Sequence, residues 1–127
     1  MTGLLADTRA YYYLPPLTRN PRLDAAARAH GADMARNNFF GHASTNGDHV
    51  TQRVAKAGYS ACLAAENLGW GKVHADPQTM MTGWLNSPGH RSNLLHPRAT
   101  EFGLARAADT DGSHDPLWVL VIGRPGC

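Results

Sequence analysis

Residues 101–107, EFGLARA, and 117–123, LWVLVIG, decide the fold class. Each has the length and the aliphatic and aromatic content of a β-strand. The segment between them, residues 109–116, is rich in Asp, Gly and Ser and has the chemistry of turns. The pair reads as a long hairpin. Its second strand is apolar on both faces, which assigns it to the centre of a sheet covered on each side. One further strand is legible upstream, at residues 67–73 (NLGWGKV), where the glycines mark a twist or the close approach of another backbone. Helical segments surround these strands. The order of helices, one strand, a helix and a strand pair does not alternate as a parallel βαβ protein would, and it predicts an α+β fold with helices packed on a sheet.

Residues 4–13 read as a helix that stops before Pro15 and Pro16, because the residue ahead of a proline is pushed out of the α region. A second helix opens at Leu23 and runs to about Asn38, with Leu23, Ala26, Ala27, His30 and Met34 on one face. His30 is therefore expected as a hydrogen-bonded core histidine. Asp48 is the expected N-cap of a helix through Val50, Val54 and Ala57, which Gly58 stops. Asp76 is the expected cap of the next helix, with Pro77 in its first turn. Met80, Met81, Trp84 and Leu85 form the buried stripe of that helix, and it ends near Asn86. The triplet Tyr11, Tyr12 and Tyr13 is expected to pack in part on the core with its hydroxyls in water. Residues 109–115 (DTDGSHD) lack the spacing and terminal glutamate of an EF-hand and read as a solvated hairpin tip.

The chain has 127 residues, 43% of them hydrophobic, which suits one domain over residues 1–127 around one core. No run approaches the roughly 20 apolar residues of a membrane helix, so no transmembrane segment is expected. The formal charge of +2 comes from interspersed residues, 12 basic and 10 acidic, without a basic stripe. That speaks against nucleic acid as a partner. Cys62 and Cys127 are too far apart for a metal knuckle or a redox pair. Two readings stay open for them: unrelated thiols, or a disulfide. A bridge of that span would stabilise the fold by about 4 kcal/mol in the chain-entropy model. It would also imply an exported protein, secreted or periplasmic. Residues 1–16 lack the charged start, apolar middle and small-residue cleavage site of a secretory signal, so the export signal would be absent from these residues.

Three ionisable groups, His42, Glu66 and His90, stand at the ends of elements beside residues that prefer burial: Phe39 and Phe40, Leu68 and Trp70, Leu94 and Leu95. Element ends are held rigid by the core and still reach solvent, which suits ligands and proton carriers. Brought together, two imidazoles and a carboxylate can bind a divalent ion such as zinc. Alternatively, the carboxylate can orient one imidazole by hydrogen bonding. Local spacing does not show convergence, since no HExxH-like motif places two of these groups on one helical face.

The ordered set FFGHAST, AENLGWG, MTGWLNSPGHRSNLL, TEFGLAR and WVLVIG resembles the CAP superfamily, also called the SCP domain, and in particular its short bacterial branch. The resemblance covers nearly the whole chain. It implies an α-β-α sandwich in which a three-stranded antiparallel sheet lies between helical layers. It also implies a cleft in which His42 and His90 are the two histidines, able to bind a divalent metal, commonly zinc, and Glu66 is one of two acids. The second acid of eukaryotic members falls three residues after the tryptophan of the helix, and here that position is Ser87. Its hydroxyl is expected to cap the short turn begun by Pro88 in preference to a role in the site. A missing negative charge weakens cation binding and removes a possible general acid or base.

Ser44 is a candidate lining residue. Arg91 is expected to pair with an acid or with helix C-terminal carbonyls, and Asn93 to satisfy loop backbone. No nucleophile has an evident base and orienting group, which speaks against a serine or cysteine hydrolase. Three functions remain open. One is a secreted or periplasmic module that binds a metal and a small, peptide-like, glycan-like or lipid-like ligand. Another is a zinc-assisted hydrolase, a peptidase, with Glu66 as base. The last is a polar network that serves only the fold.

Overall fold

The computed structural model describes residues 1–109 and 112–126. Its helices are α1 (Thr2–Tyr11), α2 (Pro21–Asn37), α3 (Val50–Lys56), α4 (Pro77–Leu85) and α5 (Pro88–Leu94), and its strands are β1 (Thr18–Arg19), β2 (Ala61–Trp70), β3 (Glu101–Ala107) and β4 (Leu117–Pro125). Strand β4 occupies the interior, as its two-sided apolar sequence requires, and pairs antiparallel with β3 on one side and β2 on the other. Strand β1 adds in parallel to the outer edge of β3, so the order is β1-β3-β4-β2. The sheet thus has four strands, not the three implied by the resemblance. The extra one is two residues long and is held by Thr18 N–H donating to Thr100 O and Asn20 N–H donating to Phe102 O.

Alternation along β4 divides the core in two. Leu117, Val119 and Val121 pack with Leu23, Ala26, Ala27 and Met34 of α2 and Val54 of α3. Trp118, Leu120 and Ile122 pack on the other face with Leu5 of α1, Met80, Met81 and Trp84 of α4, and Leu94 of α5. Helices therefore cover both faces, which is the α-β-α sandwich. Burying each large aliphatic side chain stabilises by about 1.5–3 kcal/mol, so β4 ties both layers to one strand. On β3, the backbone of α2 comes so close that a Cβ on Gly103 would lie 2.1 Å from the Leu23 carbonyl carbon. Glycine is required there.

Several boundaries differ from expectation. Helix α2 begins at Pro21 because the Asn20 side chain accepts from Arg22 N–H and Leu23 N–H. His49, not Asp48, is the N-cap of α3, and its backbone N–H donates to Gln52 Oε1 at 2.9 Å. Asp48 instead accepts from Lys56 Nζ. Strand β2 starts at Ala61 and ends at Trp70; Gly71, at φ +98°, turns the chain into a 3₁₀ turn at Lys72–His74. The turn begun by Pro88 is a helix. Tyr11 and Tyr13 are 76% and 96% exposed, while the half-buried Tyr12 lies 4.8 Å under the Arg91 guanidinium. The 109–115 loop is not wholly solvated, since Asp109 is buried and accepts from His114 N–H; Thr110 and Asp111 lie outside the described residues. So does Cys127, and with it the expected pairing with Cys62. Among the described residues, no helix is long and apolar enough to cross a membrane.

Candidate functional site

The site forms over the outer edge of β2, around Glu66 and Asn67. Glu66 lies opposite Val121 and Asn67 opposite Leu120, so their side chains leave the sheet on opposite faces. Glu66 serves the α2–α3 layer and Asn67 the α4–α5 layer.

On the first face, α2 ends at Asn38, whose left-handed φ of 49° releases the chain into the loop that carries His42. Buried side chains hold this loop. His30 is fully buried, as expected, and its Nε2 donates to Gly41 O at 2.7 Å while its Nδ1 lies 3.3 Å from Ser44 Oγ. Burial pushes its pKa down, which favours the neutral ring these contacts need. Asp33 accepts from the backbone N–H and the hydroxyl of Thr45, each at 2.9 Å.

Arg53 completes the mount. From α3 its Nη1 donates to His42 O and Ser44 Oγ at 2.8 Å and to Asp48 O at 3.0 Å. Its Nη2 pairs with Glu66 Oε2. The other Glu66 oxygen accepts from His42 Nδ1 at 2.9 Å. The Glu66 side chain is 1% exposed and that of His42 is 55% exposed, so a buried carboxylate orients a ring that faces solvent.

On the second face, α5 carries His90. Ser87 stands at the N-cap position of α5 but makes no capping bond. Its Oγ lies 3.0 Å from His90 Nδ1, so the expected capping role gives way to a contact within the site. Asn67, fully buried, donates to His90 O at 3.0 Å and accepts from Asn93 Nδ2 at 2.9 Å. Burial lowers the His90 pKa, and the charge of His42 lowers it further.

Next to His90 lies an apolar slot of about 520 Å³, walled by Leu68, Trp70, Val73, Met80 and Trp84, with Ser87 and His90 at its polar end. The Trp84 indole N–H is satisfied by Leu68 O at 2.9 Å, which lets the ring serve as wall. Phe40, Trp70 and His114 form an aromatic rim with ring centroids 4.9–6.2 Å apart.

His42 and Glu66 are in direct contact; the His90 ring bonds Ser87 instead, and its backbone carbonyl is held by the Asn67 side chain, on the other face of β2 from Glu66. Ser44 is turned inward between Arg53 and His30 as a loop strut. Arg91 stacks on Tyr12 and is in none of the salt bridges resolved among the described residues. Asn93 bonds the Asn67 side chain as well as backbone. Sequence reasoning passed over Arg53 and Asn67. Arg53 carried a signal, because it shares one helical face with Val50, Val54 and Ala57, and a cation on a buried stripe calls for a buried counter-ion.

The Nδ1 of His42 is engaged by a carboxylate, the arrangement that orients metal-binding histidines, while that of His90 is engaged by a hydroxyl. The donor set fits a divalent ion only in part. No group of three or more His, Cys, Asp or Glu set to hold an ion occurs among the described residues, so an ion here would rest on two imidazoles, with water completing its shell.

The chain is 34% identical over 91 residues to the uncharacterized protein YkwD of Bacillus subtilis (strain 168), which covers 72% of this chain and 35% of YkwD. It superposes on an extracellular protein containing a SCP domain from Bacillus anthracis str. Ames with a TM-score of 0.82 and 30% identity, covering 95% of this chain and 38% of that one. It therefore spans little more than a third of the length of either relative. An outer surface protein of Borrelia burgdorferi shares the fold at a TM-score of 0.88 and 24% identity, covering 98% of this chain and 90% of that one. With the family profile matched across residues 2–122, the chain belongs to the cysteine-rich secretory protein family, CAP.

Proposed function

We propose that this chain is an exported binding domain. In this reading His42 and His90 hold a divalent ion, zinc first, through Nε2, and the apolar slot takes the apolar part of a small, peptide-like, glycan-like or lipid-like ligand. The observation that carries it is the state of Glu66, which is buried with one oxygen engaged by His42 and the other by Arg53. A base in zinc-assisted hydrolysis has to reach the attacking water, and this carboxylate is committed elsewhere. Ser87 supplies no charge in its place. The lowered pKa of His90 favours the neutral ring that a metal needs. The half-exposed His42 ring supports a ligand over a network that serves only the fold. Export is supported by the neighbours described as an extracellular protein and an outer surface protein.

Calorimetric titration with zinc chloride tests this reading. The wild type should bind, and His42→Ala and His90→Ala should each abolish the heat while keeping the fold. Zinc binding unchanged in either variant would contradict it, as would a wild type that binds no zinc.

A further inference from the structure

We propose that Arg53 is the positioning residue of His42, fixing both the tautomer and the placement of its ring. The inference concerns the site of the proposed function and adds to it the residue on which the presentation of Nε2 depends.

Arg53 acts on His42 by two routes at once. Through Nη1 it gathers three acceptors from the loop: His42 O, Ser44 Oγ and Asp48 O. That pins the backbone from which the ring hangs. Through Nη2 it takes one oxygen of Glu66, leaving the other directed at His42 Nδ1. An ionised carboxylate only accepts hydrogen bonds, so Nδ1 carries the proton and Nε2 keeps its lone pair toward solvent.

The planar fork of a guanidinium matters here. One nitrogen serves the loop while the other serves the carboxylate, in a fixed relation that a flexible ammonium does not reproduce. All the hydrogen bonds that the Arg53 side chain makes among the described residues go to the loop and to the carboxylate. His90 has no equivalent, since Asn67 holds its backbone and Ser87 its ring by separate residues.

The test is the tautomer of His42 in the metal-free protein, read from long-range ¹H–¹⁵N correlations of the imidazole at a fixed, mildly alkaline pH. In the wild type the proton should sit on Nδ1; a proton on Nε2 overturns the proposal before any variant is made. Arg53→Lys keeps the charge and loses the fork. It should give a mixture of tautomers with the β4 amide spectrum unchanged, and bind zinc chloride about 10–100-fold more weakly, as loss of an orienting partner does. Glu66→Gln breaks the same relay from its other side and should also mix the tautomers, which covers the case in which Arg53→Lys does not fold. A His42 ring that stays wholly Nδ1-protonated in whichever of these variants folds overturns the proposal and leaves Arg53 a structural cation. Correct tautomer shifts in a protein that binds no zinc would sustain the positioning role and remove the metal from the proposed function.

Discussion

His42 and His90 reach the same edge of the sheet from opposite faces, and they are mounted by different chemistry. Behind His42 stands a buried ion pair, Arg53 with Glu66, whose charges are taken out of water and satisfied by one another and by loop acceptors. Behind His90 stand neutral groups: the amides of Asn67 and Asn93 and the hydroxyl of Ser87. A buried ion pair adds little net stability, yet losing one partner strands the other. A neutral mount loses bonds one at a time. The first arrangement fails all at once and the second by degrees, which suits a half-exposed ring on a long loop in one case and a ring already set on a helix in the other.

Arg53→Met should have the largest effect. It leaves Glu66 buried without its counter-ion, held only by His42, and should cost about 3–5 kcal/mol in urea unfolding, with much of the loss recovered when Glu66→Leu is added. A small cost for the single variant would mean that the two mounts do not differ. Asn67→Ala strips two bonds from the neutral mount and should cost about 1–3 kcal/mol, with the ionic face left intact in amide exchange. Acid sharpens the comparison further. His30 and His90 both have folded pKa values pushed down, chiefly by burial. Below about 6.5 the unfolded chain therefore takes up protons first, and stability falls with pH through that window while remaining full above it. Melting temperatures between pH 7 and pH 5 should show this slope, and His90→Asn should flatten part of it. Ser87→Ala should cost the least, about 0.5–1 kcal/mol, and act mainly on the orientation of the His90 ring.

Much of this architecture is legible in the sequence where burial is two-sided or a cap is explicit. Strand β4 shows itself by apolar residues on both faces, and α4 by Asp76, whose carboxylate accepts from Thr79 N–H, followed by Pro77. The first half of β2, ACLAAE, is not legible. Alanine has weak strand preference, and pairing with residues 121–125 of β4 imposes the conformation. His42 and His90 could be singled out by their places near element ends, whereas Glu66, expected at the start of a strand, lies inside β2 because that strand begins at Ala61; how the two faces meet at β2 is a product of topology that no local spacing records. Ser87 is the reverse case. Its position ahead of Pro88 marks an N-cap correctly, yet its hydroxyl turns to the His90 ring, a choice between two nearby partners that the sequence does not make.

The most direct measurement is the imidazole ¹⁵N spectrum of the wild type as zinc chloride is added. Binding through the paired rings requires the Nε2 resonances of both His42 and His90 to move together while both Nδ1 protons stay in place. Rings that do not respond, or that lose their Nδ1 protons to the metal, would contradict it.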